Sequence, residues 1–369
     1  MCGIFGIITS NVNEYSEKRI KTIIEELFVL SENRGKESAG ITIRTSDAIH
    51  TFKRLGSASR MIIDEEYTQF FHNALKNEFS EGTKISEARH VAVIGHSGLM
   101  TNGVQYSNSN NQPVTTGCAV GVHDGIIVND SALWEQCPEI KRYTDVDTEV
   151  FLALLQHNYN LTKSLVSSSI EAFSVLEGSA SVAVLFSNLN KVLLATNTGS
   201  IYVSQDQSRN MLIFASERHI LNQLFRDAKI VVGLNFGSIT QIKPNHGYIV
   251  NITDLSGTDF PFNSEQCKSA MEENDPESLV KIVGHSPLIG DQSLMPRRNV
   301  STLQPDKRRK IERMIKEQTK CLPEIKRCTC CLLPETFPFI EFDENGVCNY
   351  CKNYSKIGYK GKNALEAVI

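Results

Sequence analysis

The sequence has no apolar stretch approaching the ~20 residues that a membrane-spanning helix requires. It lacks an excess of either charge: 38 Lys and Arg stand against 42 Asp and Glu, a net of −4. Such a balance gives no general attraction to nucleic acid or to an anionic membrane surface. It also lacks a basic segment ahead of the short apolar start MCGIFGIITS, so an export signal is not expected. Internal repeats and low-complexity tracts are missing as well, which argues against a solenoid or a disordered chain. The expectation is a cytoplasmic protein with neither a membrane nor a nucleic acid as partner.

What remains is the composition of a folded protein: 369 residues, 41% hydrophobic and 22% charged. Short apolar runs mark strands at Gly3–Thr9, Gly40–Arg44, Val91–His96, Ala119–Val122, Ala180–Phe186, Val192–Thr196, Leu212–Ser216 and Tyr248–Asn251. Ile20, Ile23, Ile24, Leu27 and Phe28 recur at helical spacing between the first two, and a second helix is expected to start near Asp147. Many strands with few, grouped helices suggest helices packed on antiparallel sheets. From residue 256 to 326 the character changes. Six of the eleven prolines fall there, no strand is expected, and Asp306 to Lys320 reads as one basic helix in a linker.

The ten cysteines are unevenly placed, with six of them between Cys321 and Cys351. Cys328-x-x-Cys331 and Cys348-x-x-Cys351 form two knuckles separated by sixteen residues, a zinc-ribbon spacing over 327–354. Two knuckles offer four thiolates, a closed soft set suited to structural Zn²⁺, with an iron–sulfur cluster as the lesser alternative. Cys330 lies inside the first knuckle as a competitor.

Cys2 follows the initiator methionine and precedes Gly3. Removal of Met1 is expected, and would leave a thiol and a free α-amine on one residue. An α-amine titrates near ~8, so it can serve as the base for its own thiol. A series of segments accompanies it: Arg34-Gly35-Lys36-Glu37-Ser38-Ala39-Gly40, Gly95-His96-Ser97, Thr101-Asn102-Gly103, Asn111-Gln112-Pro113, His123-Asp124-Gly125, Asp147-Thr148-Glu149, Leu176-Glu177-Gly178-Ser179 and Phe214-Ala215-Ser216-Glu217.

In this order and spacing the series resembles the class II glutamine amidotransferase domain, which asparagine synthetase, glucosamine-6-phosphate synthase and the purine-pathway amidotransferase share. The resemblance covers about residues 2–250, within a domain expected to span 2–255. It implies an α+β fold, a four-layer α/β/β/α sandwich of two antiparallel sheets of the N-terminal-nucleophile hydrolase type. It further implies hydrolysis of glutamine to glutamate and ammonia, the ammonia passing to a synthetase. By that resemblance Cys2 is the nucleophile and the Gly125 N–H an oxyanion donor. Arg34, which would fix the Cys2 loop, joins Thr101, Asn102 and Asp147 in the substrate site; Asp147 would hold the glutamine α-amino group.

Two positions depart from the family pattern. Gly98 stands where an arginine clamps the substrate carboxylate, and Asp124 stands where an asparagine donates to the oxyanion. An ionised Asp124 would donate nothing; a protonated one could donate. Two readings follow: a working glutaminase, or a catalytically impaired amidotransferase fold serving as a scaffold or partner-binding subunit. On the first reading Gly98→Arg should lower KM and Asp124→Asn should raise kcat.

The text around the cysteine knuckles, Leu333-Pro334-Glu335-Thr336 and Phe342-Asp343 to Gly346-Val347, resembles the start of the N-acetyl-sugar amidotransferases of bacterial surface-polysaccharide synthesis. There an ATP-pyrophosphatase domain follows, with a Ser-Gly-Gly-x-Asp-Ser loop that this sequence does not contain. ATP binding is therefore not assigned to this chain. Residues 355–369 are read as the start of that domain, and the synthetase partner is expected on other residues.

Overall fold

The computed structural model describes residues 2–79, 89–99, 110–135, 140–208, 210–227, 230, 233–263, 280–285 and 325–354. Two compact units divide the chain, Met1–Gly290 and Asp291–Ile369.

In the first unit, strands β1 (Gly3–Thr9), β2 (Ser38–Arg44), β3 (Ala48–Leu55) and β4 (Val91–Gly98) belong to one sheet, with helices α1 (Glu17–Ser31), α2 (Ala58–Met61) and α3 (Glu65–Leu75) between them. Then come β5 (Val114–Thr116), β6 (Ala119–Ile127), α4 (Asp130–Trp134), α5 (Asp147–Thr162), α6 (Leu165–Ser174), β7 (Gly178–Phe186), β8 (Lys191–Thr196), β9 (Tyr202–Gln205), β10 (Met211–Ala215) and α7 (Arg218–Arg226). Short strands β11 (Thr240–Gln241), β12 (His246–Asn251), β13 (Gly257–Pro261) and β14 (Lys281–His285) complete the unit. Among the described residues the strands form an eight-stranded sheet, β11-β9-β10-β1-β4-β2-β3-β14, and a six-stranded sheet, β13-β12-β8-β7-β6-β5. Every pairing is antiparallel except β14 with β3, which is parallel.

Strand alternation sorts the side chains into three buried layers. Odd positions of β1 and β4, such as Phe5, Ile7, Val91 and Val93, pack under α1, α3 and α7 with Ile20, Ile24, Phe28, Phe71 and Leu221. On the other sheet Val182, Val184, Leu193 and Ala195 pack under α5 and α6 with Phe151, Leu155 and Ile170. Between the sheets lie Ile4, Ile8, Ala92, Ile94, Val122, Ala183, Leu185, Leu194, Leu212 and Phe214. The result is the expected α/β/β/α sandwich.

Two expectations are corrected. The stretch 256–326 is not a strandless linker. Phe260 of β13 closes the helix-side core of the six-stranded sheet, and β14 pairs with β3 from Ala48 to Phe52. The compact unit therefore runs past residue 255, because the edge of each sheet is completed by chain that follows it. The basic helix expected over 306–320 lies outside the described residues, as does the segment 355–369.

In the second unit, 325–354 form a small turn-rich body. Its only helix among the described residues, α8 (Asn349–Lys352), is capped by the Cys348 side chain, and isolated bridges join Arg327 to Pro334 and Phe342 to Cys348.

Candidate active site and metal centre

At one end of the sandwich the inter-sheet layer changes chemistry. Continuing each strand by one alternate position past its apolar residues gives Cys2 after Ile4, His96 after Ile94, Asp124 after Val122, Ser181 after Ala183, Thr196 after Leu194 and Ser216 after Phe214. All six are buried. A polar end to the inter-sheet layer is thus built by the alternation that builds the core.

Cys2 is 3% exposed. Its nitrogen donates to Asp124 Oδ1 at 2.7 Å and its thiol lies 3.7 Å from the Leu99 carbonyl. Burial first, and the Asp124 charge second, push the thiol up to about 11. Arg34 sits in a tight turn after α1, in a loop that docks on the end of β4 through Ser97 Oγ to Gly35 O at 2.9 Å and Glu37 N to Gly98 O at 3.1 Å. Its Nε donates to the Cys2 carbonyl and its Nη2 to Asp124 Oδ2, both at 2.7 Å, while Nη1 pairs with Glu217. The guanidinium is held by protein acceptors on three sides. Arg34 therefore ties the Cys2 backbone to Asp124 and Glu217.

Both oxygens of Asp124 accept, one from Cys2 and one from Arg34, so its side chain is the shared acceptor of a buried network. Glu217, which carried no assigned role in the sequence although its motif stood out, is the second acidic side chain of that network.

Gly125 follows Asp124 at φ +146, a backbone that favours glycine, and it faces Ala180 across β7. Asp147 begins α5 and is 1% exposed. Its Oδ2 accepts from Ile127 N–H at 2.8 Å and its Oδ1 lies 3.6 Å from His123 Nδ1. Burial opposes charge on both partners, yet hydrogen bonding and mutual attraction hold His123 above and Asp147 below their ordinary values. Asp147 thus ties α5 to β6. Gln112 brackets His123 from the other side, its Nε2 donating to the His123 carbonyl at 2.9 Å. Lys53, unremarked in the sequence, pins the same segment by donating to the Asn111 carbonyl at 2.8 Å. Thr101 and Asn102 lie outside the described residues.

Gly98 is more than a missing arginine. The point a Cβ would occupy there is 2.7 Å from Cys2 Sγ and 2.7 Å from His96 Nε2. Contacts this short are not kept, so any side chain at this position requires the thiol or the imidazole to shift.

Residues 99–223 match the glutamine amidotransferase domain family. The chain therefore carries a glutamine amidotransferase domain. The matched span includes Asp124, Gly125, Asp147 and Glu217, whereas Cys2 and Arg34 precede it. Similar proteins include glutamine–fructose-6-phosphate aminotransferase (isomerizing) of Chlamydia muridarum, 30% identical over 200 residues, 53% of this chain and 28% of that protein. The enzyme of the same name from Bacillus thuringiensis is 25% identical over 301 residues, 78% of this chain and 44% of its own length. The chain spans less than half the length of these relatives. Among solved structures, the glutamine phosphoribosylpyrophosphate amidotransferase of B. subtilis aligns at TM-score 0.48 and 20% identity, over 71% of this chain and 49% of that one.

Apart from the amidotransferase domain, the second unit brings Cys328, Cys331, Cys348 and Cys351 together with all four sulfurs within 4.8 Å of one another. Cys328 and Cys351 are 3.9 Å apart and Cys331 and Cys348 3.6 Å, too far for disulfides. These separations match the ~3.8 Å edge of a tetrahedron built on Zn–S bonds of ~2.3 Å. Backbone N–H groups of Cys330, Cys331 and Cys348 converge on Cys328 Sγ at 3.2–3.5 Å, as thiolate would require. The donor set fits zinc. Cys330 is exposed and stands outside the four.

Proposed function

We propose that the first unit is a glutamine amidohydrolase whose nucleophile is Cys2, exposed as the N-terminal residue by loss of Met1. The observation that carries this is the Cys2 nitrogen held 2.7 Å from the Asp124 carboxylate, which is itself fixed by Arg34. Once Met1 has gone, that nitrogen is an amine placed to exchange a proton with its own thiol. The Cys2 sulfur bonds to the side-chain amide carbon of glutamine, the C–N bond breaks, and the thiol proton, carried by the amine, leaves on ammonia. Water then cleaves the thioester to glutamate and restores the thiol. The Gly125 N–H is the proposed oxyanion donor. The Asp124 charge holds the amine in its ammonium form to a higher pH than an asparagine would, so the reaction is slower near neutrality than a neutral partner would allow.

The ammonia is proposed to pass to a synthetase, asparagine-synthetase-like or sugar-amidating, on other residues or another subunit. The cysteine body, with structural zinc, is proposed as part of that attachment, and the site of action is proposed to be the cytoplasm. No described helix is long and apolar enough to cross a membrane.

The test is labelling by 6-diazo-5-oxo-norleucine together with a glutaminase assay, on protein shown by mass spectrometry to lack Met1. Label on Cys2, and turnover lost in Cys2→Ala, is the expected result. Label elsewhere, or turnover that survives Cys2→Ala, overturns the proposal and leaves the scaffold reading.

A further inference from the structure

His96 is used by nothing described so far. It lies on β4 with its side chain between the sheets, beside Ile4 of β1, and it is 2% exposed. Among the described residues neither Nδ1 nor Nε2 has a hydrogen-bond partner. Burial, and after it the nearby His123, push the ring down to about 3, so it is a neutral imidazole with one N–H and one lone pair, both unanswered. Buried polar groups in folded proteins are almost always satisfied, and one that is not points to a missing partner.

The place of that partner is beside Cys2. His96 Nε2 and Cys2 Sγ each lie 2.7 Å from the same point above the Gly98 Cα, so the sulfur and the ring nitrogen are close neighbours across that glycine. A group bonded to or leaving from the Cys2 sulfur therefore comes within hydrogen-bonding reach of the imidazole.

We infer that His96 binds the carboxamide nitrogen of the substrate, its unprotonated ring nitrogen accepting an N–H first from the amide and then from the departing ammonia. The inference rests on the reading of Cys2 as a nucleophile toward a carboxamide. The low basicity of the ring suits the role. It accepts a hydrogen bond without taking a proton, so His96 is unchanged by the step and nitrogen departs as NH₃. An imidazolium at this position would have no lone pair to offer.

The experiment compares glutamine with glutamate γ-methyl ester, whose leaving group carries no N–H, in Met1-processed wild type, His96→Phe and His96→Gln. Phe fills the ring's volume without a polar atom; Gln keeps an acceptor. The expected result is about a tenfold or greater loss of kcat on glutamine in His96→Phe, with ester turnover within about twofold of wild type and an amide-to-ester ratio near wild type in His96→Gln. An equal loss on both substrates in the folded variant means that His96 only packs the strand, and no loss means that it faces nothing; either overturns the inference. If His96→Phe does not fold, the ratio in His96→Gln decides, and a tenfold drop there counts against. A wild type that turns over neither substrate refutes the underlying function instead.

Discussion

A methyl group on Gly98 would press on both Cys2 and His96, so the substitution that looks like a repair in sequence is an obstruction in space. Overpacking of this kind costs about 1–3 kcal/mol where the neighbours cannot move. Gly98→Ala should therefore lower the thermal midpoint and slow labelling of Cys2, and Gly98→Arg should do so more strongly with no fall in KM. Calorimetry and inactivation kinetics check both. Asp124→Asn is also changed in meaning. Cys2 N–H and Arg34 both donate to this side chain, and an amide offers one acceptor where two are needed. The variant should lose about 1–3 kcal/mol of stability through the unpaired donor. Without the carboxylate the Cys2 amine gives up its proton more easily, so the acid limb of the kcat/KM profile should move to lower pH. A limb that stays in place would show that Asp124 does not govern the amine.

At the scale of elements, the His123–Asp147 contact joins β6 to the first turn of α5, and its two members set opposite pH limits. His123 is raised in the folded state, so its contribution is present below the ordinary histidine value of about 6.5 and is lost as pH rises through the higher folded value. Asp147 is lowered, so its contribution is present above about 3.9 and is lost as pH falls through the lower folded value. The thermal midpoint should thus be highest in the mildly acidic range, and His123→Gln should flatten its decline toward alkaline pH; an unchanged slope would refute the assignment. The start of α5 was legible because Asp147 precedes an unbroken apolar run. The eight expected strands, most of them buried on both faces, were legible for the same reason. β3 and β9, each one strand in from a sheet edge, and β13, at an edge, were not, because polar and apolar residues mix along them, and β14 reads as five ordinary residues until β3 is placed beside it.

For the molecule as a whole, the motifs in the sequence located the site but not its wiring. Cys2, Arg34 and Asp124 were singled out separately, and their meeting depends on bringing residues 2, 34 and 124 from two sheets and a turn to one place. That is a property of topology rather than of any local pattern. The orientation of Asp147 toward His123 was hidden for the same reason. Only the cysteine knuckles, whose four ligands lie in two short segments, could be assembled from spacing alone. The second unit should carry about one zinc per chain by metal analysis, and changing Cys348 and Cys351 to Ser should remove it. Zinc retained in that variant would exclude this ligand set.

The position of β1 in its sheet has a consequence for the order of events at the ribosome. Its two neighbours are β4, some ninety residues downstream, and β10, some two hundred downstream. Synthesis runs from the N-terminus at about 5–20 residues per second, so the first strand waits roughly ten seconds or more for its second partner. During that wait the amino end is open to an aminopeptidase. Afterwards Cys2 is 3% exposed in the centre of an eight-stranded sheet. The proposed trimming of Met1 is therefore expected on the nascent chain, in the time that the slow closure of a non-local sheet leaves for it.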